Sequence, residues 1–158
     1  VFLLIFLVCL LLIIAASVVS YYYDIKPCLL CLLQRYAFIL VALIALLALV
    51  VRPKAWVVQV YAALLFLSSS LGVALAVRQV YLQSLPFSLH RACLPDMNYL
   101  VNTLGLIKAL KMMVLGSSDC SQIHWQFLGL SMAGWAIVWF VILAALSVRL
   151  FFTNPRSN

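Results

Sequence analysis

Charge is what this 158-residue sequence has least of: 8% of its residues are charged and only three are acidic. A soluble domain carries about a quarter charged residues, so there is too little polar surface here to cover a water-soluble globule. The three carboxylates, Asp24, Asp96 and Asp119, form no acid–base pair. A Ser–His–Asp order, a phosphate-cradling glycine loop, an internal repeat and low-complexity stretches are also missing. The ten basic residues are scattered singly despite a net charge of +7, with no basic stripe or arm, which sets nucleic acid aside as a partner. Anionic lipid head groups are the natural counter-charge, worth about 1 kcal/mol per basic residue near the surface.

What is present is hydrophobic, 68% of the chain, and it is gathered into runs. About 20 apolar residues span a bilayer as a helix. Four stretches qualify, at about 1–20, 28–51, 55–77 and 132–152. The first run competes with a signal peptide, but it exceeds the roughly 7–15 residues of a signal core. The sequence opens on Val1, so further residues are expected ahead of it. Tyr21, Tyr22 and Tyr23 form an aromatic girdle suited to the head-group level, and Pro27 suits the first turn of the second helix. The expected fold is an all-α membrane protein, a four-transmembrane-helix bundle forming one integral membrane domain over residues 1–158. Two cysteine-bearing extracytoplasmic segments are expected at about 21–31 and 78–131. The second is a long loop, with a short amphipathic helix between Asn98 and Leu115 lying on the membrane surface. Arg52, Lys54, Arg149 and Arg156 crowd the opposite side, as cytoplasmic ends do. Raw basic count points the other way, and disulfide chemistry breaks the tie, since it persists outside the cytoplasm.

The chemistry-bearing stretch is Lys26-Pro27-Cys28-Leu29-Leu30-Cys31-Leu32-Leu33-Gln34-Arg35, set between two apolar runs. On a helix, Cys28, Cys31 and Arg35 share one face. Cys-x-x-Cys brings two sulfurs within reach of a disulfide. A helix N-terminus and a neighbouring cation both favour the thiolate, and an arginine at membrane depth is a functional hypothesis by default. The plainer reading is that Arg35 reaches out to head groups and the thiols are inert. Cys93 and Cys120 stand 27 positions apart in the second polar segment. A bridge closing that loop would stabilise by about 3 kcal/mol and taken alone would read as structural. Two such pairs on one side of a membrane can also exchange with each other. Four thiols with His90 raise a zinc site, but a cation beside the first pair repels a metal ion. His90, His124, Asp96 and Asp119 read as solvated loop residues, and Cys9 as a small packing residue.

The run Pro27 to Arg35 is followed by Gly72-Val-Ala-Leu, Leu82-Gln83 and Pro86 ahead of Cys93. Asp119-Cys120 then leads into Trp125-Gln-Phe-Leu-Gly-Leu130. These motifs resemble the DsbB family, the quinone-linked disulfide bond formation proteins of bacterial inner membranes, and the likeness covers nearly the whole chain. The resemblance implies a membrane thiol–disulfide oxidoreductase. Such a protein reoxidises a periplasmic, thioredoxin-fold DsbA-like partner and passes electrons to ubiquinone or menaquinone in the membrane. It implies that Cys93 is attacked by the partner and that Cys120 exchanges with Cys28. Cys31 would face the quinone, with Arg35 stabilising the thiolate and the quinone's developing charge. Gln79 falls in a stretch near the quinone that varies in the family, and no role is assigned to it.

Two other readings stay open. One is a protein like vitamin K epoxide reductase, in which the loop pair precedes the dithiol, the reverse of the order here. The other is a tetraspan scaffold with a structural loop disulfide. Alkylation of the isolated, denatured protein separates a two-disulfide protein from a zinc site. Without reductant only Cys9 should react, whereas a zinc site would leave all five cysteines reactive.

Overall fold

The computed structural model describes residues 1–24, 28–51, 55–84, 102, 105, 107–108, 111 and 126–153. Among them are four long helices: α1 (Phe2–Tyr22), α2 (Leu29–Val51), α3 (Ala55–Ser84) and α4 (Met132–Thr153). All four are long and apolar enough to cross a membrane. Two short strands, β1 (Gln126–Phe127) and β2 (Leu130–Ser131), pair antiparallel just ahead of α4. Cys93, Cys120, His90, His124, Pro27 and the tight link between α2 and α3 lie outside the described residues. So does most of the expected surface helix, of which Asn102, Gly105, Ile107, Lys108 and Lys111 are described, all exposed.

In lipid, apolar residues gain little by turning inward, so helix association rests on close packing through small side chains. The buried positions follow that rule. On α2 they include Ala37, Ala42, Ala45 and Ala48, on α3 Ala62, Ser69, Gly72 and Ala76, and on α4 Ala133, Gly134, Ala136 and Ser147. They recur at alternating spacings of three and four, as in Ala62, Leu65, Ser69, Gly72, Ala76 and Gln79 of α3. That spacing is the seam of a bundle crossing at shallow angles. Leu3, Leu7, Leu11, Leu43, Leu47, Leu67 and Val141 lie on the exposed outer faces, where a lipid phase is the matching solvent.

The core is keyed by one aromatic pair. Phe38 of α2 and Phe140 of α4 stack with ring centroids 4.0 Å apart and planes 12° from parallel. Gly72 of α3 lies directly against the Phe140 ring, and a Cβ there would overlap it. The chain packs serially, α1 on α2, α2 on α3, and most extensively α3 on α4. Helices α1 and α4 instead face each other across a cavity.

Helix ends near the dithiol and the hairpin are pinned by side chains. Cys28 caps α2 and the first helical residue is Leu29, so the expected start at Cys28 shifts inward. Helix α3 continues past Val77 to Ser84, beyond the expected end of the third span, with Arg78 lying over the Tyr81 ring. The hairpin has no counterpart in the sequence expectations. Its turn residues Leu128 and Gly129 have φ of 52° and 78°, as a two-residue hairpin turn requires. Trp135 Nε1 donates to the Phe127 carbonyl at 3.0 Å and holds the hairpin on α4. Ser131 caps α4, its hydroxyl accepting from the Gly134 N–H at 3.3 Å while donating to Gln83 Oε1 of α3 at 2.8 Å.

Gly72→Ala should destabilise the protein by about 1–3 kcal/mol, because Phe140 must leave its stacked position. Thermal unfolding in detergent checks this. Phe140→Leu in the same background should recover part of the loss, and an unchanged melting temperature in the single variant would refute the close-packing account.

Candidate active site

The first turn of α2 assembles a dithiol from a capping interaction. Cys28 Sγ stands where a serine hydroxyl caps a helix and accepts the Cys31 N–H at 3.4 Å. The Cys28 carbonyl takes the first helical bond, from Leu32 N–H at 3.0 Å. The cap turns Cys28 back over the helix, leaving the two sulfurs 3.0 Å apart. Closing to the bonded length of about 2.05 Å requires a movement of about 1 Å. The positive end of the helix dipole lies at this turn and favours negative charge on either sulfur. Cys28 also packs against Leu30 and Leu82, which close the dithiol off along α3.

Helix α3 contributes Gln79, whose Nε2 lies 3.0 Å from Cys31 Sγ and 3.6 Å from Cys28 Sγ. Its Oε1 accepts from Gln34 Nε2 of α2 at 2.8 Å. Arg35, one turn beyond Cys31, reaches across to α1. Its guanidinium donates to the Ala16 carbonyl at 3.0 Å and to the Ser20 hydroxyl, and Ser20 in turn donates to the Ala16 carbonyl at 2.9 Å. The half-buried cation is thereby tied back to α1. Arg35 and Cys31 wall the same small cavity of about 90 Å³, with Gln34, Phe38 and Met132. Leu12, Ala16, Phe38, Met132 and Ala136 are shared with a larger cavity of about 260 Å³ between α1 and α4, which Phe127, Trp135 and Trp139 complete. Cys31 and Arg35 therefore stand in a small cavity whose walls are partly those of an apolar, aromatic-lined space.

The model of the family described as disulfide bond formation protein DsbB matches residues 1–150. Several relatives named disulfide bond formation protein B are similar over most of both chains. That of Azoarcus sp. is 39% identical over 151 residues, which cover 96% of this chain and 90% of the relative. That of Hahella chejuensis is 38% identical over 141 residues, covering 89% and 86%. That of Nitrosococcus oceani is 35% identical over 148 residues, covering 94% and 88%. The chain belongs to the DsbB family. It is a multi-pass membrane protein and a disulfide-forming oxidoreductase, and neither the scaffold nor the vitamin K epoxide reductase alternative is favoured.

Of the DsbB-like site residues expected from sequence, the structure brings Cys28, Cys31 and Arg35 together, while Cys93 and Cys120 lie outside the described residues. It adds Gln34, Gln79 and Ser20. Gln34 and Arg35 were legible as the polar interruption of an apolar run. Gln79 gave a weaker signal, since it falls just past the expected end of the third span and the family resemblance gave it no role. Ser20 gave none, because a serine at the edge of a span commonly bonds its own helix carbonyl, as Ser17 does with Ile13.

Proposed function

We propose that the chain reoxidises a periplasmic DsbA-like dithiol oxidase and passes the electrons to ubiquinone or menaquinone. The reading places it in the bacterial inner membrane, with Cys28, Cys31, Cys93 and Cys120 on the periplasmic side. The observation that carries this reading is the shared cavity: Cys31 and Arg35 stand together in a small cavity whose walls are partly those of an apolar, aromatic-lined space. The residues present fit a quinone. Phe38, Phe127, Trp135 and Trp139 offer ring faces, Leu12, Ala15 and Val19 an apolar wall, and Arg35 a donor for an oxygen acquiring charge. The chemistry a bound quinone supplies is the uptake of two electrons and two protons.

The chain's own residues do the rest by thiol–disulfide exchange. A partner thiolate attacks Cys93 Sγ; the Cys93–Cys120 bond breaks and its electron pair leaves on Cys120. The partner's second thiolate then displaces Cys93, completing the partner's disulfide. The Cys120 thiolate attacks Cys28 Sγ, and the Cys28–Cys31 bond breaks with its pair leaving on Cys31. The released Cys93 thiolate then displaces Cys28 from Cys120, restoring the Cys93–Cys120 bond and leaving Cys28 and Cys31 as the reduced pair, whose two electrons and two protons a bound quinone would take up. Arg35, fixed by Ala16 and Ser20, supplies positive charge beside the Cys31 sulfur, and the apolar wall excludes water that would protonate it. The relay needs a strong electron sink. A DsbA-type oxidase has an established potential of about −120 mV, and each ~30 mV of shortfall in a two-electron couple is a factor of about ten. An ordinary low-potential structural disulfide would not oxidise it.

Mixing the purified protein with a reduced DsbA-like partner and quinone tests the reading through quinone absorbance. Cys31→Ser should abolish quinone consumption, and equal consumption by that variant would overturn the mechanism. Arg35→Met should lower kcat/KM by about tenfold or more, and Arg35→Lys by less, since lysine keeps the charge but not the fork.

A further inference from the structure

Polar side chains are sparse inside this bundle, and two of them meet behind the dithiol. Gln34 is 6% exposed and Gln79 is 3% exposed. Burying a primary amide is unfavourable unless its polar atoms are bonded, and leucine or methionine would fill either position if packing were the only demand. An amide has an accepting oxygen at one corner and two N–H donors at the other. Gln34 Nε2 donates to Gln79 Oε1, which occupies the oxygen corner and turns the nitrogen corner toward the sulfurs. Rotating the Gln79 amide by half a turn would set N–H against N–H at Gln34 and oxygen against sulfur at Cys31. Gln34 therefore fixes the direction in which Gln79 donates.

We propose that Gln79 is a catalytic residue that takes up the negative charge on Cys31 when the Cys28–Cys31 disulfide opens, and that Gln34 is its positioning residue. This rests on the dithiol being the redox centre. In the exchange step the incoming thiolate's electron pair forms the new bond to Cys28 Sγ, and the pair of the broken bond departs on Cys31 Sγ. Gln79 Nε2 lies closer to Cys31 than to Cys28, 3.0 against 3.6 Å, so its donor favours Cys31 as the leaving sulfur. Cys28 already has the Cys31 N–H as a donor in the cap. Cys31 thus has the shorter contact with the Gln79 donor, while Cys28 has the backbone donor of the cap beside its longer Gln79 contact. A neutral amide stabilises an anion without adding a second buried cation, and it carries no readily lost proton to return to the sulfur. Arg35 lines the same cavity as Cys31 and Gln79 donates from α3, so the neutral dipole adds to a charge already nearby.

The test is the pH dependence of Cys31 alkylation in the reduced protein, read by fragmenting the peptide that carries both Cys28 and Cys31 so that the label is assigned to each sulfur. Gln79→Met keeps chain length and removes the donor. It should move the half-maximal rate upward by about one pH unit, a tenfold loss of thiolate at a fixed pH below it. Gln34→Met leaves Gln79 in place and should produce a smaller upward shift, while adding nothing in the Gln79→Met background. Cys28 alkylation should move less than Cys31 alkylation in both. An unmoved Cys31 profile in Gln79→Met, or additive shifts in the double variant, would overturn the assignment. This readout needs neither partner nor quinone. Its failure is therefore distinct from failure of the proposed relay, which quinone turnover by Cys31→Ser reports.

Discussion

The absence of a side chain at Gly72 governs how the rest of the bundle fits. In a lipid phase there is no hydrophobic penalty for helices standing apart, so contact requires surfaces that nest. Gly72 lets α3 approach the flat face of Phe140, and Phe140 in turn stacks on Phe38. Three helices are thereby registered at one level. Ala76 and Gln79 follow Gly72 on the same buried stripe. Seven residues of helix rise by about 10 Å, which carries the registration from the aromatic stack to the level of the sulfurs. A bond of 2.8 Å between Gln34 and Gln79 is possible because the helices bearing them are already held close.

Much of this was open to sequence reading and some was not. The four spans were legible because long uncharged runs are hard to accommodate anywhere but in lipid. The dithiol stretch was legible because polar residues interrupt such a run at helical spacing. The length of α3 was not, since Arg78 and the polar residues after Val77 look like the end of a span. They continue the helix because Gln79 turns to the dithiol and Gln83 accepts a bond from Ser131. The hairpin at Gln126–Ser131 is too short for any alternation to register. Only the Leu128-Gly129 pair hints at it, and leucine is an unusual residue at positive φ. The partners of Arg35 were beyond reach, because a backbone carbonyl such as that of Ala16 carries no sequence signature.

Several hydroxyls along the helices follow one pattern. Ser17, Ser68, Ser70, Ser147 and Thr153 return their hydroxyls to carbonyls of their own helices, as a medium without water demands. Around the dithiol the bonds instead run between helices: α2 to α3 through the glutamines, α2 to α1 through Arg35, and α3 to α4 through Ser131. Among the described residues, these interhelical polar contacts all lie at the end of the bundle where the chemistry lies. Among the described residues Ser69 alone leaves a buried hydroxyl without a partner.

The bond from Ser131 to Gln83 has a bearing on the chain that joins α3 to α4. It ties the last turn of α3 to the first turn of α4, so the link of residues 85–125 departs and returns at two points fastened to each other. Both ends of that link are therefore held at the end of the bundle that carries the dithiol.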